Sequence, residues 1–360
     1  DLHPQLDPPL SWSQDLHADF EGLRQTRGLV DAKIRAWFAE FPAYRWWPLS
    51  LVENRPLVVR LKTPAIIGAF CGSGVRTLVS TRFHSTLAMK CGRQNRQGNR
   101  EMPDLCLTSE NAYQTAGSSA SWLAGCCPTP VFYAKILGIV YRAARLAKKG
   151  LYDNRRWIES SLTSIRALEQ VGGRFDVRGL EHVQGLSSPA VFVGNHMSIL
   201  ETFVLPCLIQ PIRDVTFVVK QSLISYPLFG HVMRNRNPVV VGRENPREDL
   251  KTVLDEGQKR LETGISVVIF PQTTRSTEFD PGKFNSLGVK LARRCQVPAV
   301  PFALKTDAWG LGKRIKDFGP IRPEKTVHFR FGEPLTVRGS GKDEHHRVVE
   351  FIQTNLAEWR

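Results

Sequence analysis

The chain lacks the cysteine and histidine groupings that mark metal and redox sites. Its 360 residues include seven cysteines, but neither a C-x-x-C pair nor a His/Cys cluster has the spacing of a zinc site. No secretory signal peptide is recognisable either. These absences argue against a structural metal or a redox centre, and we expect a reducing, intracellular setting.

Long apolar runs are also missing. No stretch of about 18 uninterrupted apolar residues occurs, so we expect no conventional spanning helix. The nearest candidate is residues 131–150, VFYAKILGIVYRAARLAKKG, which cations such as Arg142 and Arg145 interrupt at helical spacing. Phe132, Ile136, Ile139, Val140 and Ala143 share another face. The segment predicts a basic amphipathic helix, which either lies on an anionic membrane surface or packs as a solvated helix on a core.

Acidic side chains are in deficit. The chain has 49 Lys and Arg against 34 Asp and Glu, a net charge of +15. Such an excess favours an anionic partner: nucleic acid, a phospholipid surface or a phosphorylated substrate. No nucleic-acid-binding module and no interleaving of basic and aromatic residues is present, so we expect no nucleic acid partner. A basic nucleic-acid or membrane-surface binding protein without catalysis remains the main non-enzymatic alternative.

Sustained periodicity is missing from residues 1–128. This segment is rich in Pro, Ser, Arg and Trp and contains the polar stretch KCGRQNRQGNREMPD. Only residues 28–41, GLVDAKIRAWFAEF, predict a helix. We interpret residues 1–128 as an irregular or disordered extension outside the catalytic unit.

From Asn154 onward, helical and strand patterns alternate. A helix with apolar residues on one face is followed by GGRFDVRGLE, a turn and a strand, and a later helix begins with the cap Asn245 and Pro246. Five further apolar runs predict strands: PAVFVG, VTFVVK, NPVVVG, GISVVIF and VPAVPFALK. We therefore expect an α/β domain over residues 151–360, with a mainly parallel central sheet flanked by helices.

The stretch FVGNHMSILETF places a titratable pair directly after the strand PAVFVG. His196 and Glu201 would lie at a strand-to-helix junction, where α/β proteins hold ligands. A neutral imidazole there can accept a proton from a hydroxyl, and a carboxylate can fix its tautomer. No G-x-S-x-G elbow occurs, so we do not expect a covalent intermediate on a serine. The alternative is a structural histidine with no catalytic role.

Three cations follow neighbouring strands. Arg275 comes after GISVVIF, Arg243 after NPVVVG, and Lys220 ends VTFVVK. Because parallel strands bring their carboxyl ends to one edge, Arg275 and Arg243 can bind a phosphate there through bidentate hydrogen bonds. For both arginines, the alternative is an ordinary surface salt bridge. For Lys220, the two alternatives are contact with the phosphate and exposure to solvent.

The motif NHMSILETF resembles the N-H-x-S-x-x-D signature of the glycerolipid acyltransferases, which acylate lysophosphatidic acid and related acceptors. Further blocks that resemble the family occur in its order over residues 175–335. They are VKQSLISYPLFG, PVVVGRENPRED, FPQTTRS and VPAVPFAL. Glu201 stands where the family has aspartate, and Gln272 and Thr273 stand where it has glutamate and glycine.

This resemblance implies a set of site residues. His196 and Glu201 would be catalytic, and Arg243, Arg275 and Lys220 would bind the substrate phosphate. The substrate loops would contain Asn195, Ser198, Gln272, Thr273, Thr274 and Ser276.

The resemblance also implies an activity. The chain would transfer a fatty acyl group from acyl-CoA or acyl-carrier protein to a lysophospholipid, by default converting lysophosphatidic acid to phosphatidic acid. No metal or bound cofactor would be needed. The enzyme would act in phospholipid biosynthesis, peripherally on the cytoplasmic face of an anionic membrane. An acyl-ester hydrolase on a similar scaffold is the enzymatic alternative.

Overall fold

The computed structural model describes residues 111–117, 122–226, 228–272, 274–312 and 316–360. Most of the predicted extension, including the helix expected at 28–41, lies outside the described residues, as does Thr273.

Helices and strands alternate along the described chain. The helices are α1 (Trp122–Cys126), α2 (Pro128–Lys148), α3 (Asn154–Glu169), α4 (Leu180–Gln184), α5 (Leu200–Ile209), α6 (Gln221–Ile224), α7 (Phe229–Arg234), α8 (Pro246–Glu262), α9 (Leu287–Cys295) and α10 (Lys342–Glu358). The strands are β1 (Tyr113–Gln114), β2 (Arg174–Arg178), β3 (Val191–Gly194), β4 (Val215–Lys220), β5 (Val239–Val241), β6 (Ser266–Ile269), β7 (Ala299–Lys305) and β8 (Thr326–Phe331). The strands predicted from GGRFDVRGLE and from the five apolar runs are confirmed as β2 to β7.

The strands form one sheet in the order β1-β2-β8-β7-β3-β6-β4-β5. Strands β7, β3, β6, β4 and β5 are parallel to one another. Strand β8 pairs antiparallel with β7 and parallel with β2. The predicted mainly parallel sheet is therefore confirmed, with a mixed edge that the sequence reasoning did not anticipate.

Helices cover both faces of the sheet. On β4, Val218 packs against an apolar cluster to which α8, α9 and α10 contribute Val253, Leu291 and Ile352. The preceding residue, Phe217, points to the other face and meets Trp157 of α3 edge-on, with ring centroids 6.0 Å apart. Because adjacent strand residues face opposite sides, apolar residues at both positions require a helix layer on each side.

The predicted extension boundary at residue 128 is wrong for residues 111–117. Strand β1 pairs with β2, with Tyr113 opposite Val177. The hydroxyl groups of Tyr113 and Thr115 both donate to Glu169 of α3, at 2.5 and 2.7 Å. A two-residue strand has too little periodicity to be recognised in a sequence.

The predicted basic helix forms as α2, but the face proposed for the membrane is mostly buried in protein. Phe132, Ile136, Ile139 and Ala143 are each no more than 5% exposed. Phe132 packs edge-on against Trp309, with centroids 4.9 Å apart. An amphipathic pattern identifies an apolar face without identifying what covers it. In this structure, the rest of the domain covers most of the apolar face of α2. Among the described residues, no helix is both long enough and apolar enough to cross a membrane.

Two glycines give a direct test of the packing. A Cβ atom added at Gly194, the last residue of β3, would lie 2.3 Å from the buried ring of Phe302, whereas one at Gly138 of α2 would meet no atom within 4 Å. We expect Gly194→Ala to lower the free energy of unfolding by about 1–3 kcal/mol through overpacking. Gly138→Ala should raise it by up to about 1 kcal/mol, because alanine favours helix. Urea denaturation measures both variants, and wild-type stability of Gly194→Ala would contradict the packing.

Candidate active site

The parallel strands bring the predicted site residues to one edge of the sheet. Their carboxyl ends lie side by side in the order β7, β3, β6, β4, β5, so the segments that follow them are neighbours although they are distant in sequence. The residues that end these strands or follow them within three positions are Thr306, His196, Gln272, Lys220 and Arg243.

His196 and Glu201 form the predicted pair. His196 follows β3 by two residues, and Glu201 is the second residue of α5. Nδ1 of His196 lies 2.9 Å from Oε1 of Glu201; the histidine side chain is 18% exposed and that of the glutamate is fully buried. The imidazole stacks on Phe270, with centroids 4.3 Å apart and planes inclined by 17°. The ring is thus held at one edge and one face, and Nε2 is the nitrogen available to a substrate.

The Glu201 carboxylate is surrounded by hydrogen-bond donors. Besides Nδ1 of His196, Oε1 accepts from the backbone N–H groups of Met197 and Ser198, at 2.6 and 2.8 Å. Oε2 accepts from the hydroxyl of Thr306 at 2.8 Å, and the Ser198 hydroxyl lies 3.0 Å away. The longer glutamate therefore fills the place of an aspartate without leaving a carboxylate oxygen unpaired.

These donors determine the charge of Glu201 and the tautomer of His196. Burial alone would raise the pKa of Glu201, but the hydrogen bond and charge of His196, with the backbone and Thr306 donors, hold this pKa below its ordinary value. The group is therefore an ionised carboxylate at neutral pH and can only accept hydrogen bonds. Nδ1 of a neutral His196 must then carry the proton, which leaves the lone pair of Nε2 free to act as a base.

The loop FPQTTRS is attached to the backbone of His196 on both sides. Oε1 of Gln272 accepts from the His196 N–H at 2.5 Å, and the Ser276 N–H donates to the His196 carbonyl at 3.1 Å. An amide oxygen accepts a hydrogen bond as a carboxylate oxygen does, so glutamine at this position is suited to the contact. Gln272 is 7% exposed, and its role in the structure is to hold the histidine loop.

Asn195 joins β3 to β7. Its side-chain amide donates to the Leu304 carbonyl at 2.8 Å, and its side-chain oxygen accepts from the Leu304 N–H at 2.9 Å. Asn195 is 2% exposed. The structure therefore gives this predicted substrate-loop residue a supporting role, in which it fixes the backbone from which His196 projects.

Sequence reasoning missed Thr306. Its hydroxyl binds Glu201 and lies 2.9 Å from the Ser198 hydroxyl, and it is fully buried. The available signal was its position directly after the predicted strand VPAVPFALK, at the edge where His196 was already expected. Ser198 is 1% exposed and hydrogen-bonded in this network.

Arg275 forms an ion pair that the sequence did not predict. Its guanidinium contacts the carboxylate of Asp317, and both side chains are about one-fifth exposed, at 20% and 19%. Asp317 lies on the loop between β7 and β8. Next to it, the Lys316 ammonium lies 3.5 Å from the hydroxyl of Thr274, a contact at the limit of hydrogen bonding.

Arg243, which follows β5, contacts the FPQTTRS loop. Its guanidinium donates to the Gln272 carbonyl at 3.1 Å. Its backbone has a φ of 67°, a conformation unusual for a side chain with a Cβ atom, and its N–H donates to the Asp249 carboxylate of α8, at 3.1 Å for the nearer oxygen. The structure therefore shows Arg243 supporting the FPQTTRS loop.

Lys220 is exposed at the end of β4, two strands from β3. Neighbouring strands lie roughly 5 Å apart, which places the Lys220 backbone roughly 10 Å from β3. The structure shows no hydrogen bond or ion pair for its ammonium within the described residues.

The titratable groups at this edge suit proton transfer and anion binding. His196 and Glu201 form a base with its orienting carboxylate, while Arg275 and Arg243 supply cations beside it. Within the described ranges, no group of three or more His, Cys, Asp and Glu side chains is placed to hold a metal ion.

The chain is similar to known acyltransferases. A sequence-family model described as Acyltransferase matches residues 174–305, which include all the site residues discussed above except Thr306 and the loop that carries Lys316 and Asp317. A solved structure, the 1-acyl-sn-glycerophosphate acyltransferase of Thermotoga maritima, is similar at a TM-score of 0.48 and 19% identity, over 66% of this chain and 96% of that one.

Curated relatives are more similar in sequence. The 1-acyl-sn-glycerol-3-phosphate acyltransferase of Pseudomonas aeruginosa is 34% identical over 208 residues, which cover 57% of this chain and 76% of the relative. A chloroplastic 1-acyl-sn-glycerol-3-phosphate acyltransferase of Brassica napus is 31% identical over 129 residues, which cover 36% of each protein. The chain therefore belongs to the acyltransferase family that contains the 1-acyl-sn-glycerol-3-phosphate acyltransferases.

Proposed function

We propose that this acyltransferase transfers a fatty acyl group from acyl-CoA or acyl-carrier protein to the free hydroxyl of lysophosphatidic acid, forming phosphatidic acid. The observation that carries the proposal is the ionised, buried Glu201 on Nδ1 of His196, which presents Nε2 as a base at the edge of the sheet. The relatives from Pseudomonas aeruginosa and Brassica napus support the acceptor, because both are named as acyltransferases of 1-acyl-sn-glycerol 3-phosphate.

The reaction proceeds by direct attack. Nε2 of His196 takes the proton of the acceptor hydroxyl while the oxygen of that hydroxyl attacks the thioester carbonyl. Glu201 stabilises the imidazolium that forms. The tetrahedral adduct then collapses, the C–S bond breaks, and the thiolate leaving group takes the proton back from Nε2. Ser198 is not the nucleophile, because its hydroxyl is buried and engaged with Glu201 and Thr306.

Arg275 binds the acceptor phosphate. It lies on the loop whose Ser276 is hydrogen-bonded to the backbone of His196, so a headgroup bound there is tethered close to the base. A guanidinium matches phosphate oxygens through two parallel hydrogen bonds. Arg243 and Lys220 add positive charge at the same edge, and Arg243 also holds the loop in place.

Replacement of the base tests the mechanism. His196→Ala should lower kcat by about 10²- to 10⁴-fold, the loss typical of a general base, without unfolding the protein. Glu201→Gln should also lower kcat, because the tautomer is no longer enforced. The matched control is His182→Ala, which removes a histidine that also lies beside a glutamate, 3.9 Å from Glu181, but away from this edge. Near-normal turnover by a folded His196→Ala protein would contradict the mechanism.

We propose further that α2 lies against an anionic membrane surface, through a face other than the buried one. Leu137, Tyr141 and Leu151 are exposed by 46%, 52% and 59%, and no other large apolar side chains of the described residues are so exposed. A cleft of about 500 Å³ between α2 and α3 opens beside them, and its lining includes Arg142 and Arg166. Exposed apolar groups next to cations suit the boundary between acyl chains and anionic headgroups.

Charge reversal tests this surface. Arg142→Glu with Arg145→Glu should weaken binding to vesicles that contain phosphatidylglycerol, by about 1 kcal/mol for each cation lost near the surface. Binding to neutral vesicles should change less. Lys342→Glu with Arg347→Glu changes the net charge equally and serves as the control, since both residues are exposed on α10, which packs on the other face of the sheet. Equal effects of the two double variants in a vesicle sedimentation assay would return α2 to a purely structural role.

A further inference from the structure

The two oxygens of the Glu201 carboxylate differ in their partners. Oε1 accepts from His196 and from backbone N–H groups, whereas the partners of Oε2 within the described residues are side-chain hydroxyls. The Thr306 hydroxyl lies 2.8 Å from Oε2, and the Ser198 hydroxyl lies 3.0 Å from it. Because Glu201 is fully buried, its Oε2 depends on these two hydroxyls for hydrogen bonds.

The two hydroxyls can substitute for each other as donors. Each carries one proton, and their oxygens lie 2.9 Å apart, so that they form a triangle with Oε2. When Thr306 donates to Oε2, the Ser198 proton can point to Oε2 or to Thr306. When Ser198 donates to Oε2, the Thr306 proton has the same choice. Removal of either hydroxyl therefore leaves the other within hydrogen-bond distance of Oε2.

Separate parts of the chain hold the two hydroxyls in place. Ser198 precedes α5, and its hydroxyl accepts from the Leu200 N–H at 3.1 Å. Thr306 follows β7, and its N–H donates to the sulfur of Met197 at 3.3 Å. Ser198 and Thr306 are 1% and 0% exposed, so both hydroxyls meet the carboxylate in the protein interior. Thr306 also lies just outside the residues that the family model matches.

We propose that Thr306 is a positioning residue for the base, which keeps Glu201 ionised beside His196, and that Ser198 takes over as the donor to Oε2 when Thr306 is lost. This inference rests on the proposed role of His196 in acyl transfer. It assigns to Thr306 and Ser198 a shared task, so that the loss of both is far more damaging than the loss of either.

The physical reason is the cost of a buried carboxylate without donors. Burial raises the pKa of Glu201, while His196 and the hydrogen-bond donors, Thr306 among them, hold this pKa below its ordinary value. His196 is the titratable group that contacts Glu201 in the described part of the chain. Loss of both hydroxyls leaves Oε2 unpaired, so the His196–Glu201 pair takes up a proton more readily. That proton removes either the lone pair of the base or the charge that fixes its tautomer.

Turnover tests the exchange of donors. With lysophosphatidic acid and acyl-CoA, Thr306→Val and Ser198→Ala should each lower kcat by about two- to fivefold, because one hydroxyl still reaches Oε2. The double variant should lose about 50-fold or more, which exceeds the product of the two single losses. Ser198→Ala with Thr306→Ser, which restores one hydroxyl, should return to the level of Ser198→Ala alone. A double variant whose loss does not exceed that product would overturn the proposal.

The pH dependence of stability distinguishes a role in charge from a role in packing. In the double variant of Thr306→Val and Ser198→Ala, the loss in free energy of unfolding should be larger at pH 8 than at pH 5.5. The reason is that a proton taken up by the pair at the lower pH removes the uncompensated charge. The matched control is Thr216→Val with Ser266→Ala, two fully buried hydroxyls that contact backbone groups. The loss in this control should not change with pH.

Urea denaturation at the two pH values measures both double variants. A loss that is the same at both pH values, or a Thr306→Val, Ser198→Ala protein that is unfolded at both, would overturn the proposal and make the two hydroxyls structural. If the wild-type protein does not acylate lysophosphatidic acid, the proposed function fails, while the comparison of the two pH values still decides the role of Thr306 and Ser198.

Discussion

The candidate site depends on one interaction, the burial of the Glu201 carboxylate among donors supplied by two parts of the chain, residues 196–198 and Thr306. Removing a carboxylate from water costs several kcal/mol unless donors replace its hydration. Here the backbone that follows His196, the imidazole itself and Thr306 provide those donors. The depressed pKa of Glu201 makes the arrangement pH-dependent: its contribution to stability is complete above the pKa of the unfolded chain and is lost as the pH falls through the folded value. The negative charge of Glu201, which is costly to bury, therefore fixes both the backbone that follows His196 and the tautomer of the His196 ring.

The order of the strands explains how hydrogen-bond donors reach the Glu201 carboxylate. Strand β3 lies between β7 and β6, so the segment carrying His196 has Thr306 on one side and the FPQTTRS loop on the other. Asn195 ties it to β7, and Gln272 ties it to the loop after β6. Gly194, which has no Cβ atom, allows the ring of Phe302 to approach β3 closely. In the proposed mechanism, adjacent loops at one edge of the sheet bind the phosphate and activate the hydroxyl.

The sequence predicts the parts of this arrangement that depend on local patterns. Strands β3 to β7 are short apolar runs between turn residues, and the pairing of His196 with Glu201 needs only a strand-to-helix junction. The contacts of Thr306 and Asp317 could not be predicted in the same way, because they join residues 105 and 42 positions apart. A sequence pattern also cannot predict burial when it depends on which distant part of the chain packs against an element. The apolar stripe of α2 is visible in the sequence, but its burial against Trp309 depends on how a distant loop folds. Strand β8 alternates polar and apolar residues, TVHFRF, a strand signal that the sequence prediction missed.

The central claim is that Glu201 holds His196 as the tautomer protonated on Nδ1, so that Nε2 is the base. Nitrogen NMR of the protein with ¹⁵N-labelled histidine tests it most directly, with the His196 signals identified by their loss in His196→Ala. At a pH where the ring is neutral, the account predicts a protonated Nδ1 and an unprotonated Nε2 in the wild type, and a mixture of tautomers in Glu201→Gln. A ring protonated on Nε2, or one whose tautomer does not respond to Glu201→Gln, would contradict it.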